Sequence, residues 1–144
     1  MEVRIPAMVF FGSATLMAAL LYSCAHPAGA HMHDRADLDP WFGELKSGKG
    51  LCCSFAEGKT VRDVDWTVQG EGQICEPAVN DEANNLPGHY CVRLDNRWIL
   101  VPDNAVITEP NRYGPAIVWP VYDSPQGGPL QLIQIRCFLR GVEG

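Results

Sequence analysis

Short strand-forming segments joined by tight turns constrain the fold of this chain more than any other feature. Segments 89–94 and 97–101 are both strand-forming, and the turn-forming pair Asp95-Asn96 separates them. Two such residues between strand-forming segments predict a β-hairpin. Segments 116–122 and 130–139 predict two further strands. These segments are too short for parallel strands with crossover helices, which favours an antiparallel arrangement.

One helix is predicted before the strands. Asp39 is suited to cap it and Pro40 to its first turn, so the helix is expected over 37–46 and ends at Gly48, a residue suited to a left-handed conformation. Apolar and polar residues alternate over 63–69, which predicts a half-buried strand. The chain is therefore expected to be mainly β, with a small antiparallel sheet or partly open barrel, one short N-terminal helix and stapling disulfides.

The first thirty residues have the pattern of a secretory signal peptide. Arg4 precedes an apolar stretch, and the small residues Ala28-Gly29-Ala30 form a cleavage site. Cleavage there removes residues 1–30 and leaves a single small β-rich domain over 31–144. Within that domain, the polar stretch 72–88 is rich in Pro, Gly, Asn and Asp and predicts a long surface loop.

Two other interpretations of the N-terminal segment stay open. Its apolar stretch is near the lower length limit of a spanning helix and can remain as a membrane anchor. The segment also contains Leu21-Tyr22-Ser23-Cys24, which is similar to a lipobox with Cys24 as the lipidated residue. Contact with a membrane is expected only through the signal segment or through this lipid.

Six cysteines in 144 residues are typical of an exported chain, and five of them remain after cleavage. Cys75 and Cys91 are favoured as one pair, because their bond closes the polar loop onto the hairpin. Cys137 can then pair with Cys52 or with Cys53. The cysteine left over can be buried, can bridge two chains or can bind a metal ion. Cys52-Cys53 lacks the C-x-x-C spacing, so thioredoxin-like activity is not predicted.

Histidines at the cleavage site suggest a metal ligand set. Cleavage after Ala30 makes His31 the new N-terminus and places His33 third. A free amine, two backbone amides and a third-position imidazole form a planar nitrogen set, which suits Cu(II) or Ni(II). A periplasmic copper- or nickel-binding protein is therefore one predicted function. The alternative is a solvated leader without a ligand, as is common at chain termini.

Charge and composition narrow the function further. The chain has 11 basic and 17 acidic residues, a net charge of −6 and no basic cluster, so nucleic-acid binding is not expected. Its scattered carboxylates define no catalytic pair. We therefore expect an exported, non-enzymatic binding or structural domain whose ligand is a protein or another component of the envelope. An envelope enzyme or enzyme inhibitor that uses the aromatic side chains is the second alternative.

Several short sequence blocks span most of the predicted mature chain: His31-Met32-His33-Asp34-Arg35, Trp41-Phe42, Ser47-Gly48-Lys49-Gly50-Leu51-Cys52-Cys53, Val118-Trp119-Pro120 and Arg136-Cys137-Phe138. In these blocks the chain resembles a family of small, uncharacterised secreted bacterial proteins. The resemblance implies an exported, disulfide-stapled domain with a bond between Cys137 and Cys52 or Cys53. Cys75 and Cys91 are additions relative to that family, which is consistent with their pairing. The resemblance implies no particular activity.

Overall fold

Eight β-strands and one α-helix form the described part of the chain. The structure, a computed structural model, describes residues 35–52, 58–70, 72–82 and 88–142. The helix, α1, spans Asp39–Glu44, and the strands are β1 (Lys46–Ser47), β2 (Gly50–Leu51), β3 (Lys59–Val61), β4 (Trp66–Val68), β5 (Tyr90–Leu94), β6 (Arg97–Val101), β7 (Ala116–Asp123) and β8 (Gln131–Leu139). The prediction of a mainly β chain is confirmed. Within these residues, no helix has the length and apolar character needed to cross a membrane.

The strands form three antiparallel sheets. β1 pairs with β2, a second sheet has the order β3-β7-β8, and a third has the order β4-β5-β6. The predicted hairpin is confirmed: β5 and β6 pair along their whole length, and Asp95 and Asn96 form its turn with φ of 50° and 61°. Positive φ at both positions is what the commonest two-residue hairpin turn requires. The described strands do not close into a barrel.

Two apolar clusters place the β7–β8 ribbon in the middle layer of the molecule. One cluster lies between the two three-stranded sheets and includes Val118 and Phe138. The other lies between α1 and the opposite face of the ribbon and includes Phe42, Ile117 and Leu139. Because successive residues of a strand point to opposite faces, the ribbon is buried on both sides at the start of β7 and the end of β8, over residues 116–119 and 137–139.

The long connection between β4 and β5 is more than the surface loop that the sequence predicts. Cys75 and Ala78 are buried. Glu76 exchanges two backbone hydrogen bonds with β6, and Val79 and Asn80 donate backbone hydrogen bonds to β8. The described part of this connection therefore spans the gap between the two three-stranded sheets and covers one edge of each.

The prediction of a left-handed Gly48 is wrong. The helix ends at Glu44, and Gly48 lies in the turn between β1 and β2. The positive φ falls instead on Gly50, at 106°. Gly48 is required for a different reason, since a Cβ there would lie 2.9 Å from the carbonyl oxygen of Asn104.

The predicted strand over 63–69 is only half correct. Asp63–Asp65 form a 3₁₀ turn, and the strand is limited to β4. Two hydrogen bonds between Arg62 and Asp65 stabilise this turn. The Arg62 carbonyl accepts from the Asp65 N–H at 2.8 Å, and Arg62 Nε donates to Asp65 Oδ2 at 2.6 Å. Val64, expected to be half-buried, is 71% exposed.

Candidate functional site

Several residues that the sequence singled out lie outside the described part of the chain. These are the possible lipidation site, the histidines of the possible copper site and one of the adjacent cysteines: Cys24, His31, His33 and Cys53. Among the described residues, no group of three or more His, Cys, Asp or Glu side chains could hold a metal ion.

The described cysteines form two disulfides. Cys52 is bonded to Cys137, and Cys75 is bonded to Cys91. All four are fully buried. The first bond lies in the apolar cluster beneath α1, and the second lies on the outer face of the β4-β5-β6 sheet beside Leu100. No described cysteine is a free thiol, so the described residues offer no thiol chemistry.

Every aromatic side chain that the structure describes is buried or partly buried. Trp41, Phe42, Trp119 and Phe138 are buried, which leaves Trp119 unable to line an exposed groove. Trp66 is partly buried, and its ring centroid lies 6.0 Å from that of Phe138. The aromatic residues therefore stabilise the core rather than form a continuous aromatic surface.

A cleft opens where the chain after β6 runs beside the end of β8. Two hydrogen bonds hold these segments together: the Ile107 N–H donates to the Phe138 carbonyl at 2.9 Å, and Asn111 Nδ2 donates to the Arg140 carbonyl at 2.8 Å. On the first segment, residues 108–110 lie between the two hydrogen-bonded positions. On the second segment, only Leu139 lies between them. The longer segment must therefore bow away from β8, and the space beneath the bow is the cleft.

We call this space the terminal cleft. Its walls are residues 106–111, residues 140–142 and Tyr90, and its volume is about 660 Å³. Asn111 holds the first wall in place, because its Nδ2 group lies within hydrogen-bond distance of three backbone carbonyls and its Oδ1 accepts from the N–H groups of Tyr113 and Gly114. The side-chain amide of Asn111 is therefore structural.

Four other polar side chains of the terminal cleft have no partner among the described residues. Glu109 and Arg140 both line it and are both exposed, yet no ion pair among the described residues includes either one. The hydroxyl groups of Tyr90 and Thr108 likewise make no hydrogen bond within the described part of the chain. An unpaired acid, an unpaired base and two free hydroxyls are thus available to a bound molecule.

The floor of the terminal cleft is made of apolar and aromatic groups. Gly141 is buried there, and a Cβ at this position would lie 3.3 Å from Ala116 N and 3.4 Å from Trp66 Cζ2. Trp66 thus lies directly beneath the floor, where its Nε1 is buried without a hydrogen-bond partner. Any larger residue at position 141 would have to displace this packing.

A second cleft, which we call the polar cleft, lies beside β8 and has a volume of about 420 Å³. Its lining consists of Lys49, Asn80, Asp81, Glu82, His89, Leu100, Pro102, Asp103, Asn104 and Gln134. Lys49 and Asp81 form an ion pair in which the Asp81 side chain is only 2% exposed. Lys49 also donates to the Ile135 carbonyl, and Asp81 accepts from the Ile135 N–H, so this pair is part of the fold.

The polar cleft also brings His89 close to Asp103. His89 Nδ1 lies 2.9 Å from Asp103 Oδ1, which is within ion-pair distance, although the alignment is not that of a hydrogen bond. The His89 side chain is 11% exposed, and the Asp103 side chain is 78% exposed. Sequence reasoning did not select His89, although it is the only one of the four histidines that lies outside the N-terminal segment.

A tyrosine links the two three-stranded sheets on the side away from α1. Tyr122 on β7 donates its hydroxyl hydrogen to Asp95 Oδ2 at 2.8 Å, and Lys59 Nζ lies 3.2 Å from the same hydroxyl. Partial burial, together with the hydrogen bond to the Asp95 carboxylate, raises the pKa of Tyr122 to about 12. The tyrosine is therefore a neutral donor at physiological pH, and its role is to connect the sheets.

Comparison of the chain with protein-family models, with curated proteins and with solved structures finds no match. A functional interpretation therefore depends on the geometry of the terminal cleft and the polar cleft.

Proposed function

We propose that this chain is an exported, non-enzymatic binding domain that takes a small ligand in the terminal cleft. The observation that carries the proposal is a cleft of about 660 Å³ in which an apolar floor meets unpaired polar groups. Small-molecule sites have volumes of roughly 300–1,000 Å³ and combine apolar walls with a few polar groups that orient the ligand. The terminal cleft has both properties.

The chemistry of the terminal cleft supports binding rather than catalysis. A catalytic nucleophile needs a base within hydrogen-bond reach to activate it. Thr108, Tyr90 and Glu109 line the cleft, but no hydrogen bond joins any two of them in the described structure. Without a hydrogen bond between them, each of these groups is available to contact a ligand.

Export is part of the same proposal. The two disulfides are compatible with an oxidising, exported location. The expected signal peptide over residues 1–30 would deliver the chain to the periplasm or the medium, where small polar molecules and envelope components are the available ligands.

The proposal can be tested by screening a library of small molecules against the ¹⁵N-labelled exported protein by NMR. We expect the bound molecules to shift the backbone amides of residues 108–109 and 140–142. Thr108→Trp places a large side chain on the exposed rim and should abolish these shifts, whereas Glu44→Trp, at an exposed position on α1, should leave them unchanged. Ligands whose shifts survive Thr108→Trp would contradict the proposal.

An envelope enzyme is the second candidate function, and the His89–Asp103 pair favours it. A carboxylate beside one imidazole nitrogen orients the ring and leaves the other nitrogen to act as a general base. The nearly buried His89 has the Asp103 carboxylate 2.9 Å from its Nδ1, in a cleft that contains further titratable groups. The test is hydrolysis of a panel of chromogenic carboxylic and phosphoric esters. Turnover that disappears in His89→Gln and persists in the control Glu44→Gln would support it, and absence of turnover would contradict it.

A further inference from the structure

We propose that the ligand of the terminal cleft is a zwitterion with an apolar side chain, the chemical class of the apolar α-amino acids. The inference rests on the proposed binding function and adds the class of ligand. It follows from the position of one acidic and one basic side chain around an apolar floor.

The two charges lie on different walls of the terminal cleft. Glu109 lies midway between Ile107 and Asn111, the two residues whose hydrogen bonds join this wall to the end of β8. Arg140 follows β8 directly and belongs to the opposite wall. The two side chains do not pair with each other or with any other described residue. A ligand between them meets a carboxylate on one side and a guanidinium on the other.

Charge complementarity then selects the ligand. A carboxylate on the ligand can pair with the planar guanidinium of Arg140, and an ammonium can pair with Glu109. A ligand with only one charge leaves the second protein charge facing it with the same sign, which weakens binding. A ligand that carries a carboxylate and an ammonium close together can pair with Arg140 and Glu109 at the same time.

The apolar part of the ligand has a surface to cover. The partly buried side chains of Tyr90 and Val106 line the cleft, and the buried Ile107 lines it as well. Val142, at the opposite wall, is 61% exposed. An apolar side chain bound over the floor would remove these surfaces from water.

Three compounds with the same phenylethyl skeleton test the inference. L-Phenylalanine carries both charges, 3-phenylpropionate carries only the carboxylate, and 2-phenylethylamine carries only the ammonium. Dissociation constants are measured on the full exported protein from the shifts of the Gly141 and Val142 amides. Since exposed ion pairs contribute at most about 1 kcal/mol, each missing charge should weaken binding about three- to fivefold.

Charge-removing variants make the test specific. Glu109→Gln should weaken phenylalanine about threefold and should not weaken phenylpropionate, because the variant removes a repulsion for the anion. Arg140→Gln should weaken phenylalanine and phenylpropionate and spare phenylethylamine. Glu44→Gln, which removes an exposed charge outside the cleft, should change none of the three dissociation constants.

The outcomes separate this inference from the function on which it rests. Equal affinity for the three compounds, or an equal effect of the variants on all of them, would overturn the inference. If phenylalanine does not bind but another library molecule occupies the terminal cleft, the inference fails and the binding function stands. If no molecule occupies this cleft, both fail.

Discussion

Lys49 and Asp81 bond to each other and together satisfy both backbone groups of Ile135. Lys49 Nζ donates to the Ile135 carbonyl at 2.9 Å, and Asp81 Oδ2 accepts from the Ile135 N–H at 2.8 Å. Ile135 lies on β8, whose other edge pairs with β7. The two side chains therefore take the place of a neighbouring strand and close an edge that would otherwise be open to association with another chain.

Loss of Asp81 should lower the stability of the fold strongly. Asp81→Ala leaves Lys49, whose side chain is 16% exposed, without its partner and leaves the Ile135 N–H unpaired. Removing one member of a buried pair costs about 3–5 kcal/mol, and we expect about 3 kcal/mol in the free energy of unfolding from urea titration. The control is Glu82→Ala at the exposed neighbouring position, which should change stability by less than about 0.5 kcal/mol. Equal stability of the two variants would show that the pair contributes nothing.

Tyr122 should make the fold sensitive to alkaline pH. Its pKa in the folded chain is raised from 10.0 to about 12. Between these values the unfolded chain loses the phenolic proton while the folded chain keeps it, so stability falls as pH rises from 10 to 12. Below pH 10 the contribution of this group is fully present and does not change with pH. Because the tyrosine is partly exposed and screened by water, we expect a loss of about 1 kcal/mol.

The matched variant for this prediction is Tyr122→Phe, which lacks the hydroxyl that bonds to Asp95. Urea unfolding of both proteins at several pH values isolates the contribution of this one group from that of the other tyrosines and lysines. The difference in stability between them should shrink across the window from pH 10 to 12. A difference that stays constant there would mean that Tyr122 keeps an ordinary pKa.

Cysteine counting predicts one thiol in the processed chain. Four cysteines are bonded as Cys52–Cys137 and Cys75–Cys91, and Cys24 leaves with the signal peptide if cleavage follows Ala30. Alkylation of the denatured, unreduced protein should therefore add one label at Cys53, as measured by intact mass. Cys53→Ser should take up no label. A wild-type chain without a reactive thiol would instead point to a bond between Cys53 and a second chain.

The copper site that the sequence predicts depends on cleavage after Ala30. The processed chain should bind one Cu(II) through the amine of His31 and the imidazole of His33, with the absorption of a planar nitrogen set. His33→Ala, or one extra residue before His31, should abolish this absorption. His89→Ala changes the only histidine outside the N-terminal segment and should leave it intact. Unchanged copper affinity in both N-terminal variants would eliminate the site.

Local features of the fold could be predicted because they depend on neighbouring residues. The β5–β6 hairpin follows from Asp95-Asn96, since few residues other than glycine accept positive φ at two successive positions. Pro40 lies in the first turn of α1 as predicted, whereas Asp39, predicted as the cap, is the first residue of the helix and follows the N-cap Leu38. β3 was not predicted, because its three residues become a strand only by pairing with β7.

Local sequence preferences could not predict which of the two adjacent cysteines bonds to Cys137. Cys52 and Cys53 are identical in type and adjacent in the chain, and the sequence left either one as the partner of Cys137. Neighbouring side chains of an extended chain point to opposite sides, so which of them reaches the core depends on how β2 is placed against β8. The structure buries Cys52 beneath α1 and bonds it to Cys137.

By itself, the sequence determined the strands of the hairpin and the β7–β8 ribbon, the helix before them and the expectation of an exported, disulfide-bonded chain. These features follow from local backbone preferences and from composition. The tertiary structure alone decided the partners of Lys49 and the position of the terminal cleft. Lys49 meets Asp81 across 32 positions of sequence. The terminal cleft exists because residues 107–111 and residues 138–140 are joined by hydrogen bonds at both ends but differ in length. These two segments come together only when the chain is folded.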